Sequence, residues 1–310
     1  MAETLIEWAR YVFNLWWGCD EVGDPESETG IDPACNGCYA RVRAENPYWW
    51  GKQTIFPVWG QDVGRRFFTE QHYLEPLKWN RKAEKAGIPE RVFCMSMGDW
   101  AEGRRDQREY LDRYLFPMIE QTPWLIWLLL TKRPQIATTI VPEYWQRNGW
   151  PKNAWPGVTA VTQKWWDLRV PALMEIPAAH HFVSAEPLME QIDMSRAPLP
   201  SWVIAGGQSG AKAKPTHPDH FQSLRDQCVS NGLAFHFKQW GEFGAVTVDD
   251  RHGKIQPNER KEAWVHPDGS VTTDRSEIRD FAWPMVRVGK KAAGRQLDGR
   301  TWDEFPEVRA

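Results

Sequence analysis

The sequence predicts an α/β fold in which parallel strands and covering helices wind into a partial or complete (β/α) barrel of the TIM type, followed by a polar C-terminal extension. Three observations carry this reading. Short apolar runs recur along the first 240 residues without strict apolar–polar alternation, the pattern of strands covered on both faces. Stretches of helical length separate them, and repeated strand–helix units predict a parallel sheet wound by right-handed crossovers. The length of 310 residues suits one large domain or two small ones, and α/β barrels fall within it.

Taken in order, strands are expected over 12–18, 66–69, 91–96, 125–131, 157–162, 181–185, 202–206 and 234–239. The run Leu125-Ile126-Trp127-Leu128-Leu129-Leu130-Thr131 is apolar until its last residue. Helices are expected over 71–86, 106–121, 134–147, 164–175 and 217–231. The last opens with Thr216 as its cap, Pro218 in the first turn and Asp219 beside the positive helix end. Eight strands would close a full barrel; six would leave an open three-quarter barrel with the others outside. Residues 19–65 break the rhythm and read as a large loop with a helix after Cys38. Residues 241–310 are polar and turn-rich, and Asp268-Gly269 fits a hairpin between 263–266 and 270–272. The expected organisation is a barrel over 1–240, containing the 19–65 loop, with the extension 241–310 packed on it.

Composition bounds the function. Hydrophobic residues make up 42% and charged residues 25%, the balance of an ordinary soluble globular chain. No apolar run approaches the length of a membrane span, and Met1-Ala2-Glu3-Thr4-Leu5 has no basic region leading an apolar one, so no membrane partner is expected. Five cysteines, an odd count, suit reduced thiols in the cytoplasm. A net charge of −3 excludes a global basic field for nucleic acid. Contact would come from local groups such as Arg41, Arg43, Lys52, Arg65 and Arg66, or Lys290, Lys291 and Arg295. The 20 tryptophans, several paired as in Trp16-Trp17, Trp49-Trp50 and Trp165-Trp166, either pack the core or offer flat surfaces for stacking bases.

Cys19, Cys35 and Cys38 form a C-x15-C-x2-C pattern just after the first apolar run. A Cys-x2-Cys pair sets two thiolates on one side of a tight turn, where they can share a metal or cluster. Cys19 joins them if the intervening loop folds back. Three thiolates leave one position of a four-iron cluster open to a substrate or cofactor. The alternative is a structural zinc completed by a histidine such as His72. Cys94, inside an apolar strand, and Cys228, inside a helix, read as buried thiols, and His180-His181 as structural.

In a parallel barrel the strand C-termini and the loops after them build the site. Here those ends carry Gly18-Cys19; Ser96, Gly98 and Asp99; Lys132 and Arg133; Ser184 and Glu186; Gly207, Gln208 and Ser209; and Lys238 and Gln239. The Gly206–Gly210 turn would be able to cradle phosphate through backbone N–H groups. No residue stands out as a catalytic acid, base or nucleophile.

These residues resemble the radical S-adenosylmethionine (radical SAM) superfamily. More closely, the chain is similar to a phage- and prophage-borne branch with a three-cysteine motif. The resemblance is carried by Cys35-Asn36-Gly37-Cys38-Tyr39-Ala40, Leu130-Thr131-Lys132-Arg133-Pro134, Ser184-Ala185-Glu186-Pro187-Leu188 and Trp202-Val203-Ile204-Ala205-Gly206-Gly207-Gln208-Ser209-Gly210. It continues through Phe237-Lys238-Gln239-Trp240-Gly241-Glu242, the segment 288–295 and the closing segment 297–306. Two departures stand out. The first cysteine gap is wider than the superfamily's usual C-x3-C-x2-C, and Gln208 replaces an acidic residue in the glycine-rich turn.

The resemblance implies a [4Fe–4S] cluster on Cys19, Cys35 and Cys38, with S-adenosylmethionine on the fourth iron. One electron, from a donor such as flavodoxin or ferredoxin, would release a 5′-deoxyadenosyl radical that takes a hydrogen atom from substrate. Ser96, Gly98, Asp99, Lys132, Ser184 and Glu186 would bind the cofactor. Gly98 and Asp99 would accept from its amino group, Lys132 would pair with its carboxylate, and Ser184 and Glu186 would meet the ribose hydroxyls. Arg133, Gly207, Gln208, Ser209, Lys238 and Gln239 would contact substrate. The implied substrate is a modified nucleobase of the hypermodified-thymine type in phage DNA or its nucleotide, rearranged by isomerase- or lyase-type chemistry. Alternatives are radical tailoring of a small metabolite or peptide, a non-catalytic zinc-stabilised nucleic-acid-binding module, and a degenerate cluster protein that only binds partners.

Overall fold

Seven parallel strands form a curled sheet clad by helices, an α/β partial barrel, in a computed structural model that describes residues 3–46, 57–245 and 262–307. The sheet strands are β1 (Tyr11–Phe13), β4 (Glu90–Cys94), β5 (Leu125–Thr131), β6 (Ala154–Thr159), β7 (Phe182–Ala185), β8 (Trp202–Gly206) and β9 (Ala234–Gln239), in that order across the sheet. The expected strand at 66–69 is not among them. Arg66–Phe67 (β3) pairs antiparallel with Trp16–Trp17 (β2), which is the far half of the expected strand 12–18. Two residues are too few to span a layer, and β2–β3 instead serves as a clip at the start of the loop region.

The chain divides into two compact units. The first is Met1–Thr159 with Pro171–Phe182. Its strands run in parallel register, Phe13 opposite Cys94 and Cys94 opposite Leu129. Trp127, Leu128 and Leu129 on β5 are fully buried, and each such side chain contributes about 1.5–3 kcal/mol of burial. The helix α3 (Glu75–Ala86) buries Pro76, Trp79 and Ala83 on one face and ends at Gly87, whose φ of 66° lets its N–H turn back to the Ala83 and Glu84 carbonyls. The helix expected at 106–121 is α4 (Arg105–Tyr110) and α5 (Phe116–Gln121), joined by a π-helical turn, Leu111–Leu115. Pro117 has no N–H for the normal bond to the fourth carbonyl back, and the widened turn accommodates that loss. The helix expected at 134–147 breaks into α6 (Pro134–Ile140) and α7 (Glu143–Asn148), because Val141 before Pro142 is extended.

The second unit is Ala160–Val170 with Val183–Ala310. It holds α9 (Pro218–Ser230) beside β8 and β9. A four-stranded antiparallel sheet follows, in the order β10 (Phe243–Ala245), β13 (Trp283–Arg287), β11 (Glu262–Val265), β12 (Val271–Thr272). The expected hairpin is present, with Val265 opposite Val271, and Gly269 takes φ 83° at its turn. The cap of α9 differs from expectation. His217 Nδ1 accepts the Asp219 N–H at 3.2 Å, while the Thr216 hydroxyl donates to the Leu188 carbonyl at 2.7 Å. Among the described residues, no helix is long and apolar enough to cross a membrane.

Candidate functional site

In the first unit the β2 run delivers Cys19 through Gly18, which sits at φ 114°. A Cβ there would lie 2.0 Å from the Val58 carbonyl oxygen, so only glycine lets the chain pass. The Gly18 N–H donates to the Met97 carbonyl at 2.9 Å, and Gly60 N–H to the Cys19 carbonyl at 3.1 Å. The strand end after β4 is thus held against the Cys19 turn. Asn14 adds two ties, its Oδ1 accepting from Met97 N–H at 2.9 Å and its Nδ2 donating to Ser96 Oγ at 3.2 Å.

Cys35 and Cys38 flank a turn closed by Cys38 N–H on the Cys35 carbonyl at 3.1 Å. Asp32 builds its entry, accepting Ala34 N–H on Oδ1 at 2.7 Å and Cys35 N–H on its carbonyl at 2.8 Å. Cys38 immediately precedes α1 (Tyr39–Ala44), the expected helix after the pair. All three thiols are free, Cys35 buried and Cys19 and Cys38 half-buried. Burial pushes the Cys19 thiol well up, with Glu102 and Asp99 adding and Arg133 and Lys132 opposing. Burial likewise raises Cys35, against the pull of Lys132.

Lys132 follows β5. Burial works against its charge, but Cys35, Cys38, Asp32 and Cys19 outweigh it and hold the ammonium above its ordinary value. Beside it, Asp99 accepts Thr131 Oγ1 at 2.7 Å and Ala101 N–H at 3.0 Å on Oδ1, and Lys132 N–H at 3.0 Å and Arg133 Nη1 at 2.9 Å on Oδ2. A carboxylate has about four lone-pair sites, and all are engaged. Burial would raise the Asp99 pKa, but Arg133, the Thr131 hydroxyl and the two amides outweigh it and hold it low. Arg133 sends its other arm to the Asp20 carbonyl at 2.8 Å, so both arms serve the protein rather than standing open to substrate.

Among the described residues, no three His, Cys, Asp or Glu side chains are gathered closely enough to hold a metal ion. His72, the candidate fourth zinc ligand, lies with Nε2 3.0 Å from the Asn14 carbonyl and Nδ1 3.4 Å from Glu75.

The second unit carries its own strand-end polar group. Lys238 Nζ pairs with Glu186 Oε1 at 2.8 Å, and Ser184 Oγ donates to Glu186 Oε2 at 3.3 Å. Gln239 Nε2 donates to Ser209 Oγ at 2.8 Å, and Gln208 Oε1 accepts Lys214 N–H at 3.0 Å. The phosphate-cradle reading of the glycine-rich turn loses two donors. Gly207 N–H is held by the Gln239 carbonyl at 2.8 Å, and Gly210 N–H by Glu242 Oε1 at 3.1 Å.

A family model described as "Protein of unknown function (DUF5131)" matches residues 3–306. The chain belongs to this family. No curated protein matches it. Two solved structures of spore photoproduct lyase are similar to it. One, a double mutant with bound AdoMet and dinucleoside spore photoproduct, is 12% identical, with 90% of this chain and 69% of that chain covered and a TM-score of 0.41. The other, a cysteine-to-serine mutant, is 13% identical over 90% and 68%, with the same TM-score of 0.41.

In this DUF5131 chain several side chains behave otherwise than their sequence suggests. Arg65, grouped with surface cations, has a fully buried side chain, and Arg295 is tied to the Lys238 carbonyl and Asp303. Arg41 pairs with Glu21 and Glu45. Arg43, Arg66, Lys290 and Lys291 are exposed, while Lys52 and Trp49-Trp50 lie outside the described residues. Every described tryptophan is buried or half-buried, which favours core packing over an open stacking surface. Cys94 and Cys228 are fully buried, and burial pushes Cys228 up to about 12. His181 is buried with Nε2 2.8 Å from the Ile176 carbonyl. Asn14, Asp20 and Glu102 escaped the sequence reading as site residues because each is an ordinary polar residue without a motif around it, and Arg65 reads there only as a surface cation.

Proposed function

We propose that this chain is a radical SAM enzyme whose Cys19, Cys35 and Cys38 hold a [4Fe–4S] cluster. The carrying observation is that the turn bearing Cys19 and the Cys35–Cys38 turn are both tied to the strand end after β4, Gly18 N–H to the Met97 carbonyl at 2.9 Å and the Tyr39 hydroxyl to the Ser96 carbonyl at 2.7 Å. The donor set fits the group by type, being three free thiols on two segments of one unit, although the sulfurs do not form a closed shell by themselves. When bound, the cluster would supply the electron that cleaves S-adenosylmethionine to a 5′-deoxyadenosyl radical.

The chain's own residues position and exclude water. Lys132 is assigned to the carboxylate of the cofactor by the resemblance. Ser96 and Gly98 stand at the strand end as its polar contacts. Asp99, with its lone pairs engaged, orients the Lys132 backbone and the Arg133 guanidinium. Ser184 and Glu186 are assigned to ribose hydroxyls by the resemblance, and Lys238 and Gln239 to substrate.

The substrate in this reading is a modified nucleobase, and the reaction is of isomerase or lyase type. A free nucleotide is favoured over long duplex DNA, because Arg41, Arg65 and Arg295 are engaged within the protein and the net charge is −3. The test is anaerobic purification and cluster reconstitution. About four irons per chain, a brown colour and 5′-deoxyadenosine release with reductant and S-adenosylmethionine support the reading. A colourless protein holding a single zinc overturns it and leaves the zinc-stabilised binding module.

A further inference from the structure

Asp20, the residue after Cys19, is gripped at three points by three separate segments. Its N–H donates to Glu102 Oε1, its Oδ1 accepts from Arg65 Nη2 at 2.6 Å, and its carbonyl accepts from Arg133 Nη2 at 2.8 Å. Behind it, Arg65 and Glu102 form a two-point pair, Nε to Oε2 at 3.1 Å and Nη2 to Oε1 at 3.0 Å, with both side chains fully buried. Arg65 Nη1 also collects the Val58, Gly60 and Val63 carbonyls at 3.2, 3.2 and 2.8 Å, and Gln107 Nε2 donates to Glu102 Oε2.

A buried ion pair gains little net stability over apolar residues of similar volume, so what it orients matters more here than what it adds to stability. The cysteine spacing supplies one. Cys38 is fixed relative to Cys35 by a single turn, but the fifteen residues between Cys19 and Cys35 fix nothing by chain connectivity. Something else must hold Cys19.

We propose that the buried Arg65–Glu102 pair is a positioning device for Cys19: through the grip on Asp20, completed by Arg133, it sets where the distant cysteine stands. The proposal rests on the cysteine-ligand reading above for its purpose, and on the geometry alone for its existence. Arg65 and Glu102 touch no reacting group; they act through Asp20.

The test is residue-resolved alkylation of the cluster-free chain, followed by peptide mass spectrometry, in wild type, Glu102→Gln and Asp20→Asn. Circular dichroism verifies folding, and Ile119→Ala, a buried α5 position outside the grip, serves as the destabilised control. The expected result is a rise of about tenfold in Cys19 alkylation through local opening, with Cys35, Cys38, Cys94 and Cys228 unchanged. Reconstituted variants should also lose iron to a chelator faster than wild type. The milder Asp20→Asn change, at a half-buried position, keeps the test open if Glu102→Gln does not fold. An unchanged Cys19 rate in a folded variant overturns the proposal. So does a uniform rise across all five cysteines like that of Ile119→Ala, which marks a stability effect only. If the wild type takes up no iron, the functional reading falls, while the alkylation pattern still decides whether the pair positions Cys19.

Discussion

Tyr39, the residue after Cys38, donates its hydroxyl to the Ser96 carbonyl at 2.7 Å. This bond ties the start of α1, and with it the Cys-x2-Cys turn, to the strand end after β4. The same stretch is tied to the Cys19 turn by Gly18 on Met97. Tyr39→Phe removes one exposed neutral bond, at a cost of about 0.5–1.5 kcal/mol. The expected outcome is a small loss in urea midpoint with a larger, separable effect on iron retention. An equal iron content and chelation rate in the phenylalanine variant would show that the turn is held without this tie.

Asp99 and Arg133 form the strand-end ion pair at 2.9 Å, with little solvent exposure on either side chain. Asp99→Asn leaves Arg133 without its counter-charge and should cost about 3–5 kcal/mol, as breaking a buried pair does. The pH dependence has a definite sign. Asp99 is held below its unfolded value of about 3.9, so its contribution is fully present above that pH and is lost as pH falls through the folded value. Urea midpoints measured from neutral to acid pH should therefore show the wild-type advantage over Asp99→Asn shrinking in the acid range. A gap that stays constant with pH would contradict the charge argument.

The strands 125–131, 202–206 and 234–239 match the expected bounds because each is an apolar run bounded by polar or turn residues. The hairpin at Asp268-Gly269 was equally local, since the turn chemistry lies in the two residues themselves. What escaped was set by tertiary partners. Arg66–Phe67 has the composition of a sheet strand, yet its pairing with Trp16–Trp17 depends on a loop returning from far along the chain. Thr216 looks like a better cap than His217, but Leu188 takes its hydroxyl. Arg65 reads as a surface cation until Glu102 and Asp20 are seen around it. The cysteine pattern was legible; the network holding Cys19 was not, because hydrogen-bond partners leave no periodicity.

Lys132, immediately after β5, is the proposed partner of the cofactor carboxylate. Lys132→Met keeps the length and removes the charge. Loss of one charge-assisted bond to the carboxylate, about 1.5–3 kcal/mol, should weaken S-adenosylmethionine binding by roughly ten- to a hundredfold. Equilibrium dialysis on reconstituted protein reads this directly, beside iron content. Weaker binding at unchanged iron supports the carboxylate assignment, whereas iron loss at unchanged affinity would move Lys132 to the cluster side of the site.

Gly207 packs against the returning chain of the second unit so closely that a Cβ would lie 1.9 Å from the Trp240 carbonyl oxygen. Its N–H is already engaged by the Gln239 carbonyl, so the turn has no freedom to slide away without breaking that bond. Gly207→Ala should thus displace the Gln208–Ser209 segment and the Gln239–Ser209 contact with it. The expected outcome is destabilisation of about 1–3 kcal/mol from overpacking, together with faster amide exchange in 207–210 and 239–241. Gly210→Ala is the comparison: no heavy atom lies within 4 Å of its Cβ, but its φ of 102° is one that L side chains rarely adopt. Strain there should leave amide exchange in 239–241 unchanged and the Gln239–Ser209 contact in place. If both variants perturb the 239–241 segment alike, contact with Trp240 is not what fixes this turn.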